Sequence, residues 1–264
     1  MHRLITLTGA ALLLVPAMQA QALELNVLAD GYVWKASPSG EIQGKATESP
    51  LDVSDKLGLL NENQTHFFIQ LDHPIPILPN VRISKTALDF SGNTRANFKF
   101  LDQDFSGDLQ AQVDLSHTDV TAYYRLLDGA TQFIPLINLR AELGLTVRKF
   151  DGGFEVSGNT VTNGSATESI RLSEPLPLGY ASLRLGLPLG FSVGANINAT
   201  SYSGSRVSDV TADVRYQFDG LPLIKPGLTA GYRSFDLTLD DLKSTYGDLG
   251  FRGAFFGAYL RVGF

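Results

Sequence analysis

Apolar and polar residues alternate one by one through most of this chain. Phe191, Val193, Ala195, Ile197 and Ala199 interleave with Ser192, Gly194, Asn196, Asn198 and Thr200. Val210, Ala212, Val214, Tyr216 and Phe218 interleave with Asp209, Thr211, Asp213, Arg215 and Gln217, and Leu139 to Val147 interleave in the same way with Arg140 to Arg148. A period of two sends successive side chains to opposite faces of a strand, so each segment has an apolar face and a polar face. No segment carries a helical period of comparable strength. The pattern predicts ten strands, over 24–36, 64–73, 80–91, 108–127, 136–150, 178–187, 190–203, 206–218, 226–238 and 251–264, or eight if the first pair is peripheral. Longer polar stretches at 37–63, 151–177 and 239–250 follow odd strands, while Pro-rich turns at 73–80, 187–190 and 219–227 follow even ones. Short turns at one end and longer loops at the other predict an all-β fold, a single antiparallel transmembrane β-barrel.

The N-terminus changes the picture of where the chain works. Arg3, an apolar run from Leu4 to Val15 and the small-residue site Ala20-Gln21-Ala22 read as a secretory leader cleaved after Ala22. Residues 23–264 then form the barrel, exported to the bacterial outer membrane. Cysteine is absent, which excludes disulfides, thiol chemistry and a lipoprotein anchor. The net charge of −6 argues against nucleic acid as a partner.

Charge also decides which face is wet. A soluble lipocalin-like periplasmic carrier would alternate too, but with a solvated outer face rich in Lys and Glu. Here only 18% of residues are charged, and the polar faces carry Gly, Ser, Thr, Asn, Tyr and Arg. We therefore read them as lining a narrow lumen, with Arg140, Arg184, Arg215, Arg233 and Arg261 paired to Glu142, Asp209 and Asp213. Tyr180, Tyr202 and Tyr259 add bulk there, which disfavours an open porin channel. The apolar faces become the lipid belt, with Phe191, Tyr216, Phe218 and Phe264 as an aromatic girdle.

The last ten residues, FFGAYLRVGF, end on Phe264 with Val262, Leu260 and Phe256 in phase. This ending resembles the C-terminal strand signal of bacterial outer-membrane proteins, which implies recognition by the barrel-assembly machinery and a home among outer-membrane lipid and lipopolysaccharide. The stretches LDHPIPILPNVRI (71–83), DLSHTDVTAYYRLLD (114–128) and FDGGF (150–154), with Gly152-Gly153, resemble an uncharacterised family of Gly-Gly outer-membrane β-barrels. That resemblance implies fold and location and brings no activity.

Candidate chemistry is sparse. His117 and Asp119 share one face of a strand while Ser116 points the other way, so a lipid or peptide hydrolase built on His117 and Asp119 would need a nucleophile from elsewhere. The apolar parity changes from Ala111, Val113 and Leu115 to Val120, Ala122 and Tyr124, which predicts a bulge near 116–119. His66, Asp72 and His73 lack a compact ligand spacing, and Asp240, Asp241 and Asp248 read as loop acids, so no metal or cofactor is expected. The leading function is a non-enzymatic barrel that supports the envelope, binds a ligand or passes a small solute.

Overall fold

The computed structural model describes residues 25–264 apart from 132, 133, 163, 219, 220, 243 and 264; the leader and Phe264 lie outside the described residues. Its strands are β1 (Asn26–Gln43), β2 (Leu51–Asp52), β3 (Glu62–Asp72), β4 (Asn80–Thr86), β5 (Asp89–Phe100), β6 (Gln103–Asp114), β7 (His117–Thr131) and β8 (Ile134–Phe150). They continue as β9 (Gly153–Thr160), β10 (Gly164–Arg171), β11 (Leu176–Gly186), β12 (Phe191–Tyr202), β13 (Ser205–Gln217), β14 (Ile224–Leu242) and β15 (Thr245–Gly263). Ten of them close an antiparallel barrel in the order β1, β3, β4, β7, β8, β11, β12, β13, β14, β15, with β15 pairing back onto β1 from Gly263 opposite Asn26.

The remaining strands lengthen this barrel. Sheet β5-β6-β9-β10 stands directly above staves β4, β7, β8 and β11. Asn80 faces Tyr123 and Thr86 faces His117; above a short gap, Asp89 faces Asp114 and Phe100 faces Gln103. Each step up one strand matches one step down its partner, so no residue is inserted at 116–119 and the expected bulge is absent. The β8–β11 ladder continues into β9–β10 with the same regularity. Backbone bonds bridge the gaps, among them Leu115 N to Leu88 O at 2.8 Å and Asp151 N to Ser116 O at 2.8 Å. The register shifts of this wall fall away from 116–119, above it between Phe105 and Leu109 and below it between Arg125 and Leu127 and between Ala130 and Thr131.

The parity change seen in the sequence has another cause. Leu115, His117, Asp119 and Tyr123 all point inward and are buried, as are Leu109, Ala111 and Val113 above them. What switches is the chemistry of the two faces. Along β14 the inward series runs Thr229, Gly231, Arg233 and then Phe235, Leu237, Leu239, while the outward series runs Leu228, Ala230, Tyr232 and then Ser234, Asp236, Thr238. Along β13 the inward side chains Asp213, Thr211 and Asp209 give way to Val207, and outward Val210 gives way to Ser208 and Arg206. Along β1, Tyr32 gives way to Trp34 inside, and Val33 to Lys35 outside. The lower zone is thus apolar outside and polar within, and the upper zone, the crown, is the reverse. A stave needs about 9–11 residues to cross a membrane, whereas β14 and β15 have 19 each. The surplus rises above the lipid and follows the rule for water, apolar in and polar out.

Two tall walls close the crown. Phe90 on one wall stacks on Phe251 of the other at 5.2 Å, and Phe235 lies 6.0 Å from Phe251. Segment 44–61, between β1 and β3, tucks Leu51, Val53, Leu57 and Leu59 into the same core. Burying each such side chain favours the folded crown by about 1.5–3 kcal/mol before entropy is counted. The stretches 151–177 and 239–250, expected as loops, are therefore largely strand. Gly153 shows where the paired strand comes too close for a side chain: a Cβ there would sit 1.9 Å from the Ile170 carbonyl oxygen.

Candidate functional site

The lumen is filled by side chains. Inward positions on neighbouring staves bring acids and arginines together because the strands alternate faces and lie side by side. Arg148 holds Asp119 with two bonds of 2.8 and 2.7 Å and reaches Asp209 at 2.7 Å. Arg233 holds the same Asp209 with two bonds of 2.9 and 2.7 Å. One carboxylate thus bridges two buried guanidiniums across the tube. Each guanidinium also lies over a ring of the crown floor, Arg233 over Trp34 at 4.9 Å and Arg148 over Phe235 at 5.5 Å. A delocalised cation with an aromatic face above and acids beside it joins a polar chamber to an apolar one.

A second cluster lies nearer the short-turn end. Arg215 pairs with Asp30 at 3.0 Å and Asp213 at 3.1 Å, and Arg184 reaches Asp213 at 2.8 Å. Arg140 pairs with Asp72 at 3.3 Å and stands 4.0 Å from Glu142, which accepts the Tyr180 hydroxyl at 2.8 Å. The Tyr123 hydroxyl also donates to Asp72. Of the residues expected in the lumen, Arg140, Glu142, Arg184, Asp209, Asp213, Arg215, Arg233 and Arg261 all face it. Sequence reasoning missed Asp30 and Arg82, gave Asp72 and Asp119 other candidate roles, and left Arg148 on a polar face without a partner. Their signal was parity alone: each shares the inward face of its strand. Tyr180 and Tyr259 are buried, but Tyr202 is 80% exposed at the top of β12 and adds no bulk to the lumen.

His117 is fully buried between Phe150 and Phe235, its Nδ1 2.8 Å from the Leu115 carbonyl oxygen. Its Nε2 has no hydrogen-bond partner among the described residues. The Ser116 hydroxyl accepts the Leu88 amide at 3.0 Å, and Asp119 is committed to Arg148. His66 sits in the upper lumen against Thr86 at 2.8 Å, whereas His73 belongs to a turn and contacts the Pro79 carbonyl at 3.0 Å. No group of His, Cys, Asp or Glu suited to a metal ion occurs among the described residues.

The crown has one further feature. The β12–β13 hairpin turns at Ser203-Gly204, below the tops of its neighbours β10 and β14. Beside the gap lies a cavity of about 370 Å³. Phe150, Leu172, Leu176, Val207, Leu237 and Leu239 form its apolar lining, and Arg206, Asp240 and Asp241 stand at its edge. The layer below it is the ionic bridge through Asp209.

Outward, Phe256 is 62% exposed and Leu260 41%, in line with Val33, Ile83, Leu145 and Val210 around the belt. Phe191, Tyr216 and Phe218 make ring contacts of 4.8 and 5.1 Å at the short-turn rim.

No family model matches the chain, and no curated protein matches it. Among solved structures it is similar to the outer-membrane protease OmpT of Escherichia coli, at 12% identity over 90% of this chain and 97% of that one, with a TM-score of 0.45. It is similar to the outer-membrane protein OprG of Pseudomonas aeruginosa at 8% identity over 92% and 96%, TM-score 0.30. It is likewise similar to Neisserial surface protein A at 12% identity over 90% and 96%, TM-score 0.27. At such identities no residue's role passes from those proteins to this chain.

Proposed function

We propose that the protein is a non-enzymatic barrel of the bacterial outer membrane whose lumen is shut and whose crown holds a small apolar ligand. The observation that carries this is the cavity bounded by Val207, Leu237 and Phe150, of a size ordinary for ligand pockets. On this reading the short turns face the periplasm and the crown faces outward. The cavity opens just above the lipid belt, so its ligand arrives from the outer leaflet or the medium. Outer-membrane lipid and lipopolysaccharide surround the belt, and Phe256, Leu260, Val262 and Phe264 serve as the assembly signal on the last strand. His117 is a packed core residue and Asp119 an anchor for Arg148, and neither performs hydrolysis.

The test is binding of an apolar fluorophore such as N-phenylnaphthylamine to protein refolded in dodecyl maltoside. The parent should bind it, with one probe per barrel. Leu237→Asp places a charge in the apolar lining and should weaken binding at least about tenfold, since burying an unpaired charge costs well over 1.4 kcal/mol. Unchanged affinity in a variant that keeps its boiling-dependent gel mobility would overturn the proposal.

A further inference from the structure

In the lower chamber of the lumen several arginines crowd together, and one of them, Arg261, has no acid paired with it among the described residues. A cavity of about 30 Å³ there is bounded by five arginines, Arg82, Arg140, Arg184, Arg215 and Arg261, with Glu142 as the acid among its lining residues. Asp30 and Asp213 are taken by Arg215 and Arg184, and Asp72 and Glu142 lie beside Arg140, which also has Asp128 opposite it in the β7–β8 ladder. Arg82 makes no ion pair of its own among the described residues, with the Tyr180 hydroxyl at 3.4 Å and Phe68 at 3.7 Å, while Glu142 and Asp30 are its acidic neighbours. Arg261 has no ion-pair partner among the described residues. Its charged neighbours are Arg140, Arg215 and Arg184, and Lys225 stands opposite it in the β14–β15 ladder. Arg184 likewise stands directly opposite Arg140. Like charges facing each other across a ladder destabilise it, and a low-dielectric chamber sharpens that repulsion.

We propose that this chamber is a binding site for a small oxyanion of the phosphate class, held by Arg261 together with Arg184 and Arg215. Guanidinium forks donate paired N–H bonds that match the oxygens of such an ion better than they match a halide. Ser182 and Asn196 add neutral polar groups to the lining. The cavity exceeds the roughly 10–15 Å³ that one water needs. The site opens toward the short-turn end, where the Arg140 and Arg184 side chains remain 23% and 17% exposed. It is separate from the crown cavity and does not depend on the reading given for it.

The experiment is equilibrium urea unfolding in dodecyl maltoside, a detergent without phosphate, at constant ionic strength. Inorganic phosphate at ten times its dissociation constant should raise the folded-to-unfolded ratio of the parent about elevenfold. Arg261→Gln should abolish that response, and Arg261→Lys should restore part of it. In anion-free buffer, Arg261→Gln should be at least as stable as the parent, because it removes repulsion and breaks no ion pair. Arg252→Gln, which breaks the exposed outward pair with Asp236, should respond to phosphate like the parent. An equal response to chloride would overturn the oxyanion assignment. Stabilisation by short-chain phosphatidylglycerol but not by inorganic phosphate would overturn a free ion as the ligand. Loss of stability in Arg261→Gln without anion, or a phosphate response that persists in it, would overturn the site altogether.

Discussion

Asp209 is the residue on which the upper lumen turns. Its two oxygens receive three of the five short bonds that Arg148 and Arg233 direct at Asp209 and Asp119, all between 2.7 and 2.9 Å. Replacing it with Asn keeps the shape but removes the charge, and leaves two buried guanidiniums sharing Asp119. Breaking a buried pair on one side costs about 3–5 kcal/mol, because the orphaned charge stays desolvated. Asp209→Asn should therefore lower unfolding free energy by about 3 kcal/mol or more in urea titrations of the refolded protein. A change below about 1 kcal/mol would show that Asp119 alone can balance both arginines. The sequence made Asp209 and Arg233 visible through their shared polar face. It did not show that Arg148 would complete the bridge, since partners across a lumen are separated by whole staves and no spacing along the chain encodes them.

At the level of elements, the hairpins and the 44–61 segment show where period-two reading runs short. It located all ten staves, because burial on one face and lipid on the other both reward alternation. It missed β9 and β10, whose outward faces carry Glu155, Ser157, Thr167 and Ser169 and whose inward faces are interrupted by Gly158. Short polar segments with few apolar anchors look like loops until a neighbour, here β6, supplies a ladder. The parity change at 115–120 was legible but ambiguous: an inserted residue and an exchange of environments give the same string of letters. Only the unbroken register separates them. Segment 44–61 is fastened by Glu48, which accepts the Leu101 and Asp102 amides at 3.1 and 2.7 Å, and by the Lys45–Asp102 pair. Lys45 holds the Asp102 carboxyl below its ordinary pKa by hydrogen bonding to its charged form. The segment also lies close over β5, so a Cβ at Gly92 would fall 2.0 Å from the Leu57 carbonyl oxygen. Gly92→Val should lift it from the crown. A loss of about 1.4 kcal/mol in docking raises the open population tenfold, and trypsin cleavage after Lys56 should accelerate accordingly. An unchanged cleavage rate would mean that the contact at Gly92 does not hold the segment down.

For the whole molecule the two zones and their junction make a statement about passage. A conducting barrel needs a continuous wet path, and here two barriers lie in series. The ionic layer through Arg148, Asp209 and Arg233 would have to break bonds among buried charges, which is costly when no new partner is offered. Above it, Trp34, Phe90, Phe235 and Phe251 are fully buried and form a mostly apolar layer that offers water little to follow. Opening either layer alone leaves the other closed, so thermal breathing of one wall does not make a channel. Parent protein inserted in a planar bilayer should therefore show no discrete current steps at moderate voltage. Insertion is checked separately by the boiling-dependent gel shift of protein recovered from the same vesicles. Asp209→Asn should remain silent too, because it weakens the lower barrier and leaves the aromatic one in place. Steps in the variant but not the parent would assign the seal to the ionic layer alone. Steps in both would mean that the crown core parts under voltage, and the closed-lumen reading would fall with it.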